Sequence, residues 1–473
     1  MKKIKKTPLL IFITWLAICG SLGMDIKINL LEVENQKNIQ TYLSEFRVLI
    51  SIVTILAFSI WNFLLFIKNK SFSDIFKFNT TFIFILFFLC QFIGLVQNNT
   101  GVLNYNNYYL LFLSLGTLNL FLFITNSGNE SYYEKLLYLL LIVVLIHSLS
   151  ILATRFDVLI AAIAQGQSLY TLTDPNEIFM GQTIPRITGL SRSFAILNLF
   201  LIVWYFHIRY NFGLIKKTIY ILLILSIGLL VWAMNSRGTI LCYLFALTIY
   251  FLLILKENLV TRAKFLILFA LIPIVMFSII PRIANITMNT IGESIGIAGN
   301  NNISNLQKKE FNLLGNNRFF NSQHSTYSSG RIELWKYSIN NYQKNKIFGY
   351  GAQGDRYLLM DKFTHYGSNV SNGFIYALLS GGYVGLILFC FLYLKAFYNV
   401  ALIIINCKNL EPSYAIKSSA LFLSFLLLRS GVENSFSLFS LDFLIFIISS
   451  MLLEKFIREK KLTILPIKKK IFG

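Results

Sequence analysis

Runs of about twenty apolar residues recur along almost the whole of this 473-residue chain, and they limit its fold more than any motif does. A helix needs that length to cross the hydrocarbon layer. Candidate spans fall near 8–24, 47–67, 79–97, 106–125, 136–154, 193–208, 217–234, 238–255, 265–281, 374–394, 415–429 and 437–455. Only 13% of the residues are charged, whereas soluble domains carry roughly 25%. A water-soluble core cannot hide this much apolar surface. The expected fold is an all-α integral membrane protein of about twelve transmembrane helices. The start, MKKIKK followed by PLLIFITWLAICG, has the layout of a signal peptide, but no small-x-small cleavage site follows. The first span is expected to be retained.

The net charge of +21 suggests nucleic acid only until its distribution is read. Lysines crowd the N-terminus (Lys2, Lys3, Lys5, Lys6), alternate connections and the tail 455–470, while QNNTGVLNY and SGVENSF carry none. That asymmetry follows the positive-inside rule. It puts both termini in the cytoplasm of a multi-pass protein and calls for no nucleic-acid partner. Cys19, Cys90, Cys242 and Cys390 lie inside apolar runs and read as small packing residues.

Two segments on the non-cytoplasmic side exceed what a connection needs, 155–192 and about 282–373. The chain divides into 1–281 (spans 1–9), a large periplasmic or extracellular loop at 282–373, and 374–473 (spans 10–12 and a basic tail). Within the loop, GRIELWKYSINNYQK places Ile332, Trp335, Ile339 and Tyr342 at helical spacing. It is expected to form an amphipathic helix that lies on the membrane face or packs over the bundle.

Arg186, Arg192, Arg237, Arg331 and Arg429 fall at or near the external ends of spans or in external loops. Arginine beside a span is expensive and marks a function or a buried partner. Its guanidinium is always charged and grips phosphate through two N–H groups. Arg331 opens a helix, where a cation opposes the macrodipole, so helix stability does not account for it; an anion site does. Glu433 and Asp442 are salt-bridge partners for these arginines or acid–base groups. His147 and His207 read as packing or interface residues. Gly349-x-Gly351-x-x-Gly354 spells a dinucleotide fingerprint, but it follows a helix rather than a strand and reads as a turn. Gly381, Gly382 and Gly385 allow close helix packing.

In order, these pieces resemble the O-antigen ligase and polymerase superfamily of bacterial membrane polysaccharide enzymes. The pieces are RITGLSRSF at 186–194, NSRG at 235–238, Gly330-Arg331 with Trp335, Gly349 and Gly351, and Asn372 before Gly382 and Gly385. Together they cover roughly 186–400. Where the family has a histidine before that asparagine, this chain has Ser371; His365 and His324 are the nearest imidazoles. The resemblance implies an enzyme of the bacterial cytoplasmic membrane acting on lipid-linked glycans, with a chain-length regulator as a possible protein partner.

The chain lacks a phosphate-binding Gly-x-x-x-x-Gly-Lys loop, a metal-binding His/Cys cluster and an Asp-x-Asp. No cofactor or metal is expected. An external enzyme without ATP needs an activated donor, and a polyprenyl-pyrophosphate-linked glycan fits. The expected activity is polymerisation of such repeat units for O-antigen, capsule or exopolysaccharide. Arg331, Arg237 and His365 are the expected catalytic residues; Arg186, Arg237, Arg331 and Arg429 would bind pyrophosphate. The alternatives are an O-antigen ligase acting on lipid A–core and a flippase or transporter of lipid-linked glycan.

Overall fold

The computed structural model describes most of residues 79–98, 130–154, 188–272, 331–359, 370–410 and 412–462, with isolated helical positions in 53–64 and 111–118. The described residues are helical with connecting turns, without a strand among them. The helices are α1 (Thr80–Asn98), α2 (Glu130–Thr154), α3 (Thr188–Ile208), α4 (Leu214–Ala233), α5 (Arg237–Ile249), α6 (Arg331–Asn340), α7 (Gly354–Leu359), α8 (Gly373–Leu410), α9 (Tyr414–Ser430) and α10 (Leu441–Lys460). Four described stretches are long and apolar enough to cross a membrane: Thr80–Asn98, Leu190–Asn211, Leu214–Trp232 and Gly373–Cys407. The candidate spans at 8–24, 47–67 and 106–125 lie wholly or mostly outside the described residues.

The chain forms two compact units, one of Met1–Val144 with Ser328–Gly473 and one of Leu145–Tyr327. In the second, α3 packs on α4 and α5. Asn198 is buried in α3; it donates to the Ile224 carbonyl at 2.7 Å and accepts from the Tyr243 hydroxyl at 3.3 Å. A π-helical turn, Tyr250–Ile254, ends α5. Arg209 pairs with Glu257 and lies over the Phe206 ring at 4.7 Å.

In the first unit, α1 and α8 pack along each other, and α9 and α10 complete the bundle. Its centre is aromatic. Phe436 stacks on Phe446 at 4.0 Å and on Phe389 at 5.0 Å, and Phe84 meets Phe443 edge-on at 5.1 Å. Among membrane helices such close packing, rather than expulsion of water, holds the assembly. At one end of α1 the Glu454 carboxylate accepts from the Thr80 amide and hydroxyl and pairs with Lys395 at 3.5 Å. Lys395 itself lies within α8.

The span expected at 374–394 is not a straight helix. At Gly382 (φ 66°, ψ −163°) α8 breaks into a short limb, 373–381, and a long limb, 383–410. The short limb folds back on the long one. Phe374 packs on Phe389 at 5.2 Å and Tyr393 at 5.1 Å, which a continuous helix would hold more than 20 Å away. The break would orphan four backbone groups. The Tyr383 and Val384 amides instead donate to the Lys346 and Ile347 carbonyls at 2.9 and 3.3 Å, and the Leu379 and Ser380 carbonyls accept from the Tyr350 and Gly351 amides at 2.8 and 3.0 Å. The turn 346–351 thus gives each of the four groups of two lost i→i−4 bonds a new partner.

Backbone must touch backbone for this exchange. A Cβ on Gly382 would lie 2.1 Å from the Ile347 carbonyl oxygen, and one on Gly351 would lie 2.6 Å from the Leu95 amide of α1. Gly381 is different, because its Cβ would meet only the Phe87 ring, at 3.6 Å. Gly382→Ala combines a positive φ with a backbone clash and is expected to cost on the order of 2–4 kcal/mol. Gly381→Ala is expected to stay within about 1 kcal/mol. Thermal unfolding of the two variants in detergent tests the contrast; equal midpoints would contradict it.

Candidate functional site

Arg331 is the first residue of α6, and its guanidinium is held from two sides. Nη1 donates to the Val432 carbonyl and Nη2 to the Glu433 carboxylate, each at 2.8 Å. One helical turn on, the Trp335 indole N–H donates to the Val370 carbonyl at 2.7 Å. Two residues beyond Val370, the Asn372 Nδ2 donates to the Gly431 carbonyl at 2.8 Å while its Oδ1 caps α8 at the Phe374 and Ile375 amides. Gly431 is next to Val432. The contacts close a frame: Arg331, Trp335, Val370, Asn372, Gly431, Val432 and back to Arg331.

Ser371 occupies one edge of this frame, in the left-handed region at φ 47°. The position that is histidine in the resembled family is therefore two hydrogen bonds away from Arg331. Its backbone is fixed on both sides, by Val370 and by Asn372. Glu433, about a quarter exposed, supplies the carboxylate beside Arg331.

Arg429 adjoins this frame, its carbonyl accepting from the Val432 and Glu433 amides at 3.0 and 2.8 Å, and its side chain is buried. It bonds to Asp442 at 2.8 Å and to the Ser435 hydroxyl at 2.5 Å, with 6% and 1% of the two charged side chains exposed. A buried guanidinium–carboxylate pair of this kind is costly to break from one side. It clamps the start of α10 to the end of α9. The two acidic residues flagged in the sequence thus each have an arginine: Asp442 has Arg429 and Glu433 has Arg331.

The remaining sequence-level candidates are not all placed. Arg186, His324 and His365 lie outside the described residues. Arg237 is the first residue of α5, following Ser236, so it opens a helix as Arg331 does. It belongs to the other compact unit. Arg192 lies in α3, half-buried.

The helix α6 was expected to present Ile332, Trp335, Ile339 and Tyr342. The packed face is instead Leu334, Trp335, Ser338 and Tyr342, set against Tyr350, Leu359, Val370 and Leu379. Ile332 and Ile339 are 45% and 50% exposed. The helix packs on the bundle, as one of the two expected placements has it: Arg331 reaches Val432 at its start, and past its end the Tyr342 ring meets Tyr350 at 5.6 Å and Tyr383 at 6.5 Å. The Leu334 and Ser338 positions win because the short limb of α8 offers an apolar wall on that side.

Asp355 was missed by sequence reasoning. It is 1% exposed, its Oδ2 accepts from the Val370 amide at 3.0 Å, and Oδ1 has no hydrogen-bond partner. Together with Trp335 it holds both sides of the Val370 peptide. Burial pushes its carboxyl above the usual carboxylate range, opposed by the Val370 N–H and the Arg356 charge. The one signal in the sequence is an acid directly after Gly354, at the start of a six-residue helix.

The family described as O-antigen ligase matches residues 221–390. That stretch is similar to the O-antigen ligase family. The resemblance read from the arginine, glycine and asparagine pieces therefore holds over this part of the chain. Arg237, Arg331, the Gly349–Gly351 turn, Ser371 and Asn372 lie inside the match; Arg186, Arg429, Glu433 and Asp442 lie outside it. No curated protein matches the chain. The described apolar helices and this match together point to a multi-pass membrane protein whose residues 221–390 are similar to the O-antigen ligase family.

A raised carboxyl pKa means that the folded state holds the proton more tightly than the unfolded chain does. Ionised Asp355 therefore costs stability at neutral pH, and the cost fades as pH falls toward the ordinary value of 3.8. Asp355→Asn keeps an acceptor for the Val370 amide and removes the buried charge. It should equal or exceed the parent in thermal stability at pH 7, and the gap should close on acidification. A variant that is less stable at pH 7 and gains on acidification would contradict this.

Proposed function

We propose that the chain is a polysaccharide polymerase that joins polyprenyl-pyrophosphate-linked oligosaccharide repeat units, for O-antigen, capsule or exopolysaccharide. The observation that carries this reading is the frame around Arg331, inside the O-antigen ligase-like domain, with a guanidinium whose two N–H partners are a carbonyl and a single carboxylate. The pyrophosphate of the donor is a bidentate acceptor that can take the place of Glu433 on that guanidinium.

The reaction is a glycosyl transfer. An acceptor sugar hydroxyl attacks the anomeric carbon, the bond from that carbon to the pyrophosphate oxygen breaks, and the polyprenyl pyrophosphate leaves. Arginine stabilises the charge that builds on the leaving group, and it acts without a metal in this reading. Arg237, at the start of α5, and Arg186 are further proposed pyrophosphate-binding residues. His365 remains the proposed base, and Glu433, once displaced from Arg331, is a carboxylate proposed to share that task. Arg429 is proposed to act at a distance, through the Asp442 clamp that sets the 431–440 turn. The proposed placement is the bacterial cytoplasmic membrane, with both termini inside, about twelve spans and residues 282–373 on the outer side.

One observation favours a second reading, an O-antigen ligase: the matched family carries that description. Against it stands Ser371 at the histidine position. Deleting the gene and analysing the surface polysaccharide separates the two, since single-repeat product marks a lost polymerase and unattached glycan a lost ligase. In the complemented strain, Arg331→Ala and Arg331→Lys should both reduce long-chain polymer at least tenfold with the protein still in the membrane, because an ammonium cannot reproduce the fork. Full-length polymer from Arg331→Ala would end the proposal for this residue.

A further inference from the structure

A line of exposed apolar side chains follows the long limb of α8: Tyr383, Ile387, Phe391, Leu394, Tyr398 and Ile405. Their spacings of three, four and seven residues keep them on one face. From Tyr383 to Ile405 the limb rises about 33 Å, close to the thickness of a bilayer's hydrocarbon layer. At the Ile405 end, Phe456 and Leu462 of the α10 terminus line a small cleft with Ile403 and Cys407. That brings Arg458, Lys460 and Lys461 to that end and marks it as one polar boundary. Tyr383 then stands at the opposite boundary, where tyrosine is favoured.

The turn that splices into the helix break lies at this second boundary. Lys346 and Ile347 are bonded through their carbonyls to the Tyr383 and Val384 amides. Ile347 is 61% exposed, and Lys346 is exposed beside it. On the outward side of α6, Ile332, Lys336 and Ile339 repeat the same composition at helical spacing. A turn with irregular backbone at membrane depth is tolerated only where its polar groups are paired, and here they are.

We propose that the Lys346–Phe348 turn is a lipid anchor. The Ile347 side chain enters the acyl-chain boundary of the bilayer and the Lys346 ammonium reaches up to lipid phosphates. The partner is the bilayer, because the exposed line is continuous with the face of a helix long enough to cross it. The anchor fixes the depth of the Arg331 frame. Phe374, two residues after Asn372, packs on Phe389 and Tyr393. Phe374 thus sits about 9–15 Å from the turn, measured along the limb.

The test uses the full chain in phospholipid nanodiscs. The native cysteines are replaced and a single nitroxide is placed at Ile347→Cys, or at Ile387→Cys for reference. Its access to dissolved oxygen and to a water-soluble nickel chelate is then compared. The proposal expects oxygen to dominate several-fold at 347, with a shallower depth than at 387. Nickel dominating at 347 would place the turn in water, and low access to both reagents would place it under protein; either result overturns the proposal. Ile347→Trp with native cysteines, quenched by brominated lipid beyond the parent's own tryptophans, gives the same reading without cysteine removal.

Discussion

The first compact unit depends on an exchange of four hydrogen bonds at Gly382. A helix that breaks among apolar neighbours leaves amides and carbonyls whose solvation nothing nearby can replace, at a cost of several kcal/mol. Here the turn 346–351 supplies two carbonyls and two amides at the positions the broken helix vacates. The loop is not laid over the bundle but hydrogen-bonded into it. Glycines at 94, 349, 351 and 382 are what that contact requires, because backbone lies against backbone on both the α1 and α8 sides.

From that joint the site follows. The short limb folds back from Gly382 and delivers Asn372 to the Gly431 carbonyl. The α6 helix, seated on the limb through Leu334, Ser338 and Tyr342, delivers Arg331 to Val432 and Glu433. Asp355 and Trp335 fix the Val370 peptide from opposite sides. The result is a cation held by neutral and acidic oxygens that an anionic group can displace, set beside a backbone edge that carries Ser371.

Much of this was legible in the sequence, and the limits of the reading have physical causes. Hydropathy located the long helices among the described residues because span length is set by bilayer thickness. The glycines and Arg331 stood out because each is expensive in its context without a partner. The folding back of α8 was invisible, because 373–381 and 383–394 are equally apolar and hydropathy carries no direction. The packed face of α6 was misread for a related reason. Ile332 and Ile339 fit the helical period as well as Leu334 does, and only the position of the short limb chooses between them. Asp355 escaped notice because a single acid near a turn usually faces water, and only tertiary contact buries it. Arg186, His324 and His365 belong to stretches outside the described residues, so their part in the site still rests on the sequence.

Amide hydrogen exchange in the lipid-embedded protein tests the splice most directly. The account predicts that the amides of Tyr350, Gly351, Tyr383 and Val384 exchange slowly and as one unit. Gly94→Val, whose Cβ would first meet the Phe348 and Gly349 carbonyls of the turn, should release all four together. If the turn exchanges as fast as a free loop while the helix beside it stays protected, or if Gly94→Val releases the turn alone, the two are not joined as described.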